Sequence, residues 1–358
     1  MPSLLPYLQQ LLELPPYSLH ATEKKELYEH ALSSLTRHHD EHCPAYRRVV
    51  RMLGYDPSRD LTVDQFPYIP VRLFKEFDLS SVARQDVTRT ITSSGTSGQA
   101  ISRIHLDKTT AASQTRVLVK IASSFTGGRR MPFLVIDSPA VLKDRALFSA
   151  RGAGIVGFGM LGCDPTYLLD EDFAIDFARL ASFLAKHQGE KILLFGFTFL
   201  VWERLYLALQ SVGRSLSIEG ILIHGGGWKK LASLAVDNVT FKAAVRARVG
   251  ISTVHNYYGM VEQAGSIFME CPEGVLHSSI FSDIIVRDPA TFAPLGPGRT
   301  GLIQLLSLLP VSYPGHSILT EDVGEILGVD DCPCGRLGTY FRVEGRVKNA
   351  EVRGCSDV

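Results

Sequence analysis

From about residue 132 to residue 257 the chain alternates short apolar runs with stretches of helical spacing, a rhythm that few folds accommodate. The runs at 132–136, 191–195, 220–223 and 253–257 are short and bounded by turn residues, so they read as buried strands. Around them, 109–123, 175–187, 198–212 and 237–249 carry apolar residues at the spacing of amphipathic helices. This alternation predicts an α/β domain with a largely parallel sheet. Residues 1–66 read as a helical lead: apolar positions from Glu23 to Leu35 recur at helical spacing, and Pro44 and Pro57 interrupt the flow. A linker with Pro67 and Pro70 follows. From 270 to 345 helical periodicity gives way to short β-like runs with Gly and Pro turns. The expected organisation is one large domain over 1–345, comprising the helical lead (1–66), an α/β core (67–269) and a smaller β-rich subdomain (270–345). A short mobile tail at 346–358 carries Cys355.

Balanced charge, 37 basic against 37 acidic residues, sets up no field to attract nucleic acid or an anionic membrane surface, so neither is an expected partner. No apolar run reaches the ~18–20 residues a membrane-spanning helix needs. The first residues lack a basic leader and a small-residue cleavage site, which reads against a signal peptide. Six cysteines in 358 residues are too sparse for a disulfide framework. A cytoplasmic protein with reduced thiols is expected.

Four places carry chemistry. Thr92, Ser93, Ser94, Gly95, Thr96, Ser97 and Gly98 follow an apolar–polar run at 87–91. Glycines there let successive N–H groups aim at one point, and hydroxyls add donors, so the loop suits a polyphosphate. It lacks the Gly-Lys-Ser/Thr ending of a P-loop; the bland alternative is a linker. Next, His255-Asn256-Tyr257-Tyr258-Gly259 ends a strand in a turn and is followed by Glu262, a carboxylate suited to the Mg²⁺ that accompanies ATP. A tyrosine face there can stack on a purine. Then Asp322, in Thr320-Glu321-Asp322, offers a bidentate grip on ribose hydroxyls, and Arg346 a cation for ribose or phosphate. Taken singly, an acid or arginine of this kind is usually solvated surface.

Their order resembles that of the adenylate-forming superfamily, the acyl-CoA synthetases and related ligases. Longer phrases sharpen the likeness: Ile69-Pro70-Val71-Arg72-Leu73-Phe74-Lys75-Glu76-Phe77, then 92–99, 148–154, 194–199 and 351–357 resemble the acyl-protein synthetase family, itself similar to phenylacetate-CoA ligases. The resemblance implies the acyl-activating N-terminal domain fold and an enzyme that makes acyl-AMP from ATP and a carboxylic acid, a fatty acid above all. The acyl group would then pass to a thiol for delivery to a reductase or acyl carrier protein. Ser93 to Gly98, with Thr92, would hold the ATP phosphates; Gly225, Gly226 and Gly227 would wall the adenosine; and Tyr258, with Tyr257 and Gly259, would lie against adenine. Glu262 would hold Mg²⁺, and Asp322, Arg346 and Arg342 would complete the nucleotide site. Superfamily members continue for roughly a hundred residues past the Gly-Arg element in a mobile C-terminal domain; that domain is expected to be absent here.

Cys355, in Arg353-Gly354-Cys355, sits beside a cation and a glycine hinge, which favours a thiolate that can swing. In the family it resembles the cysteine that carries the acyl group as a thioester; the alternative is an incidental exposed thiol. Cys332-Pro333-Cys334-Gly335, with Cys271 and His277, supplies three thiolates and one imidazole, a complete tetrahedral set for structural zinc. Free buried cysteines are the alternative. His224 and His255 end apolar strands, placed either as a general base toward the thiol or as packing residues. Two rival functions stay open: an acyl- or aryl-CoA ligase with CoA as acceptor, and an acyltransferase that moves acyl groups from CoA to a carrier protein without adenylation.

Overall fold

The computed structural model describes residues 4–93, 101–142 and 148–347, and the structural statements below concern these residues. Two compact units divide them, one formed by 122–258 and the other by the residues up to 121 together with those from 259.

The 122–258 unit is a parallel sheet with strands in the order Gly162–Tyr167, Met131–Val135, Ile192–Phe197, Gly220–Gly225 and Thr253–Tyr258. Every residue of Met131–Val135 and Ile192–Phe197 is buried, which is why these strands read as unbroken apolar runs. All four expected strands are present within two residues of their expected ends. The strand Gly162–Tyr167 and the helix Ala150–Gly159 were not expected. Gly162-Cys163-Asp164-Pro165 has no apolar periodicity, and a proline is tolerated because the strand lies at the end of the sheet. Helices fall where sequence places them: Asp176 and Asp237 cap Phe177–Lys186 and Asn238–Val249 through their carboxylates, and Gly250, at φ +88°, ends the latter. The helical stretch from Thr198 to Ser211 contains a π-helical segment, Val201–Leu207.

The other unit centres on an antiparallel sheet in the order Pro294–Leu295, Ser282–Arg287, Thr300–Ser307, Ser317–Val329, Thr339–Arg346, Leu276–His277 and Phe268–Glu270. The segment read as a linker belongs to it: Ile69–Pro70 pairs in parallel with Ile318 and Leu319. The helix Ala21–His42 is anchored to the sheet by Lys24, whose ammonium is buried against Asp283 (2.9 Å) and the Ser282 carbonyl (2.8 Å). Tyr28, Leu32, Leu35, Tyr46, Phe281 and Phe341 are fully buried in this unit. A separate hairpin, Val87–Thr92 with Arg103–Asp107, brackets the hydroxyl-rich loop. No helix among the described residues is long and apolar enough to cross a membrane.

Candidate active site

The hydroxyl-rich loop begins at a fixed neck. Thr92 pairs with Arg103 across the hairpin, the Ser93 N–H donates to the Ser102 carbonyl (3.1 Å), and the Ser102 N–H donates to Ser93 Oγ (2.9 Å). Ser94, Gly95, Thr96, Ser97 and Gly98 lie outside the described residues, as does Cys355.

Glu262 sits on a single 3₁₀ turn, Val261–Gln263, that its neighbours clamp. The Gln263 amide donates to the carbonyls of Leu305 (3.1 Å) and Gly315 (2.8 Å), and Ser266 Oγ meets Ser307 Oγ at 2.5 Å. Gly315 must be glycine, because a Cβ there would lie 2.6 Å from the Glu262 carbonyl oxygen. The result is a carboxylate only 1% exposed, with Oε1 lacking a hydrogen-bond partner among the described residues. Burying such an oxygen without a partner is costly, and a divalent cation removes the cost.

Asp322 owes its position to a bulge. Thr320, Glu321 and Asp322 together face Ile303 on the neighbouring strand, and Thr320 Oγ1 fastens the bend by donating to the Ile303 carbonyl (2.7 Å) while accepting from the Asp322 N–H (3.1 Å). On its other side Asp322 is in register with Arg346, and the two side chains form an ion pair. Arg342 is held by two carboxylates, Glu325 (2.5 Å) and Glu344 (3.4 Å).

In the 122–258 unit, Gly225 lies opposite Tyr257. A Cβ on Gly225 would fall 2.6 Å from the Tyr257 ring, and one on Gly226, at φ +85°, 2.3 Å from Phe197, so both positions demand glycine. Gly227 follows at φ +69°. Tyr257 packs with Phe158 and Phe195, and Tyr258 is half-buried at the strand end. His224 is buried and stacked on Phe241 at 4.4 Å. Thr198 Oγ1 is within bonding distance of both His224 Nδ1 (3.0 Å) and the Gly225 carbonyl (3.1 Å). If the hydroxyl donates to the carbonyl, it accepts from Nδ1–H, leaving Nε2 as a bare acceptor, without a partner among the described residues. Burial, then Lys242 and His255, push the imidazole down to about 3, so it is neutral near pH 7 and a weak base. His255 packs edge-on against Phe125. Sequence reasoning assigned no role to Arg151, whose Nε lies 3.1 Å from Asp137 Oδ2 with both side chains buried. A lone arginine in an apolar, glycine-rich helix was the available signal.

Cys271, His277, Cys332 and Cys334 do come together: their ligand atoms all lie within 4.8 Å of one another, and Cys334 Sγ is 3.4 Å from His277 Nε2. Gly335, at φ +77°, closes the turn by donating its N–H to the Cys332 carbonyl (3.0 Å). Burial pushes the Cys332 thiol up to about 12. Burial opposes ionisation of Cys334 too, yet hydrogen bonds from Arg336 and the neighbouring thiols hold it below its usual value. Such a donor set could hold a metal ion.

Residues 8–358 match the family model described as Acyl-protein synthetase, LuxE. A long-chain-fatty-acid–luciferin-component ligase of Vibrio harveyi is 23% identical over 349 residues, covering 93% of this chain and 87% of that protein. A phenylacetate-coenzyme A ligase of Thermus thermophilus is 24% identical over 359 residues, covering 94% of this chain and 72% of its own. Among solved structures, 2-hydroxyisobutyryl-CoA ligase in an open conformation, in complex with 2-HIB-AMP and CoA, superposes with a TM-score of 0.69 at 16% identity, over 93% of this chain and 77% of that one, a likeness of fold. A family match of this extent places the chain: it belongs to the acyl-protein synthetase (LuxE) family and is an adenylate-forming, acyl-activating ligase.

Proposed function

We propose that this ligase activates a fatty acid with ATP and carries the acyl group on its own Cys355. In the first step a carboxylate oxygen of the acid attacks the α-phosphorus of ATP, the bond to the β-phosphate oxygen breaks, and pyrophosphate leaves. The Cys355 thiolate then attacks the acyl carbonyl carbon, the carbon–oxygen bond to AMP breaks, and a thioester remains. A thiol on a partner, a reductase or an acyl carrier protein, would take the acyl group onward by the same exchange. A fatty acid is the class named in the Vibrio harveyi relative.

The observation that carries this reading is Glu262: a buried carboxylate clamped on a rigid turn, with an oxygen that has no partner among the described residues, fits a Mg²⁺ ligand. Mg²⁺ would neutralise the polyphosphate, and the chain's own residues would position it: Thr92 and Ser93 to Gly98 on the phosphates, Asp322, Arg342 and Arg346 on ribose and phosphate. Gly225, Gly226, Gly227, Tyr257, Tyr258 and Gly259 would form the adenosine wall. Because a carboxylate is a weak nucleophile, the rate gain comes chiefly from positioning and charge neutralisation. Before it ionises, the incoming thiol would donate a hydrogen bond to His255 or to His224, the latter through Nε2, which has no partner among the described residues. Zinc at Cys271, His277, Cys332 and Cys334 completes the reading as a structural ion, and a cytoplasmic setting would keep the thiols reduced. CoA as acceptor is the second reading, favoured by the CoA named in the complex of 2-hydroxyisobutyryl-CoA ligase.

The test uses a labelled fatty acid with ATP. The protein should label itself through a bond that neutral hydroxylamine cleaves, and Cys355→Ser should lose the label while still releasing pyrophosphate. Equal labelling of Cys355→Ser, or label on another cysteine, would defeat self-acylation and make CoA the better acceptor.

A further inference from the structure

Resting on the zinc reading above, we infer that the ion is a latch: it holds loop 330–338 in the shape that docks the chain segment between the first two helices, 14–20. Three thiolates and an imidazole make a soft, tetrahedral, closed set, which selects Zn²⁺ and leaves no position for a substrate or water. Two of the ligands, Cys332 and Cys334, belong to loop 330–338. The other two, Cys271 and His277, flank the turn that precedes Leu276–His277.

The 14–20 segment is laid directly on these ligand-bearing pieces. The Tyr17 carbonyl accepts from the Leu337 N–H (3.2 Å), and the Pro16 carbonyl accepts from the Ile280 N–H (2.8 Å). The Tyr17 ring stands edge-on to the His277 imidazole, centroids 6.1 Å apart, and the Arg336 guanidinium lies 5.5 Å from the same ring. Immediately after it, the Ala21 N–H donates to Asp330 Oδ2 (2.9 Å) at the start of the helix Ala21–His42. Each docking partner in the loop is therefore within a few residues of Cys332 or Cys334.

Few backbone hydrogen bonds within loop 330–338 are found among the described residues. Asp330 and Gly338 bond each other at its neck, and Gly335 bonds Cys332. Gly335 and Gly338 both stand at positive φ, conformations with a large entropy cost to fix. Without a cation, the four side chains, whose ligand atoms lie within 4.8 Å of one another, lose the crosslink that would tie loop 330–338 to Cys271 and His277.

The ion sits at the opposite end of the long hairpin from the candidate nucleotide residues. Val329 and Thr339 pair at the metal end, Asp322 and Arg346 at the other. Asp322 and Val329 are seven positions apart, about 23 Å at the ~3.3 Å rise of a strand. The ion therefore acts on the fold and on the docking of the N-terminal helices, not on the acyl transfer.

The experiment uses the full chain purified without chelator. Metal analysis should find about one zinc per chain. Hydrogen exchange is then compared between the zinc-loaded protein and protein stripped by chelator, with ZnCl₂ added back as the third state. On stripping, the Leu337 and Ile280 amides, which hold the 14–20 segment, should exchange at least about tenfold faster, while amides of Thr300–Ser307 keep their rates. ZnCl₂ should restore the original pattern. Cys334→His, which keeps four ligands, should retain both zinc and protection, whereas Cys334→Ser should lose both. Unchanged exchange at Leu337 and Ile280 after verified zinc loss would overturn the latch and leave the zinc site standing. Absence of zinc in the starting protein would overturn the zinc reading itself, independently of pyrophosphate release.

Discussion

Arg346 reaches Asp322 across two antiparallel strands, its Nε 3.1 Å from Oδ1, at the point where the Thr320 bulge turns the aspartate. The side chains are 39% and 15% exposed, so the pair adds little to stability, well under about 1 kcal/mol. Asp322→Asn should therefore leave the melting temperature nearly unchanged. If Asp322 grips ribose, the same change should raise the KM for ATP about ten- to a hundredfold, the worth of one hydrogen bond to a charged group. Steady-state kinetics at saturating fatty acid measure this; an unaltered KM would remove Asp322 from the nucleotide site.

Glu262 should behave in the opposite sense to a packing residue. Glu262→Gln keeps the shape and the hydrogen-bonding turn but removes the charge, so the fold should survive with unchanged denaturant midpoint. Adenylation should fall by about 10²-fold or more, with a weaker dependence on Mg²⁺ concentration. Pyrophosphate release across a Mg²⁺ titration checks both. A variant as active as the parent would return Glu262 to the role of a buried acid at the head of a turn.

Acid should destabilise the unit that holds His39 and His316. These imidazoles stack 4.9 Å apart, with His38 and Tyr46 also in ring contact with them or their neighbours. Burial, then other histidines, hold His39 well below its usual value and His316 at about 3. Their folded values are depressed, so above pH 6.5, where the unfolded imidazoles are also neutral, their contribution is fully present. From pH 6.5 down towards about pH 3, the folded value of His316, the unfolded chain binds protons that the folded one refuses, and stability falls by up to about 1.4 kcal/mol per pH unit for each imidazole. Urea unfolding at pH 7.5, 6 and 5 measures the slope, and His39→Gln should flatten it. A slope equal in parent and variant would show that other groups govern the acid limb.

Much of the parallel sheet was legible because its strands are buried on both faces and leave runs such as Leu193-Leu194-Phe195 in the sequence. The edge strand at Gly162 was not, since Asp164 at φ +49° and Pro165 follow no hydrophobic period. Ile69–Pro70 read as a linker because two residues are too few to show alternation, and only pairing with Ile318 and Leu319 makes them a strand. That Cys271, His277, Cys332 and Cys334 come together was legible from their residue types and the Cys332-Pro333-Cys334 turn, although 61 positions separate Cys271 from Cys332. By contrast, the Asp137–Arg151 pair joins a strand end to a helix, and such long-range pairing has no local signature. Nor does sequence reveal that Thr198 can orient His224, a relation created by the register of two parallel strands.

The most direct test is acid-dependent pyrophosphate release. Purified protein, ATP and Mg²⁺ are mixed with a panel of carboxylic acids from short to long chain, without CoA or any partner protein. The expected result is pyrophosphate formed only when an acid is present, greatest with a fatty acid, together with exchange of labelled pyrophosphate into ATP. No release with any acid, alongside acyl transfer from acyl-CoA to a carrier protein, would contradict adenylation and identify the chain as an acyltransferase.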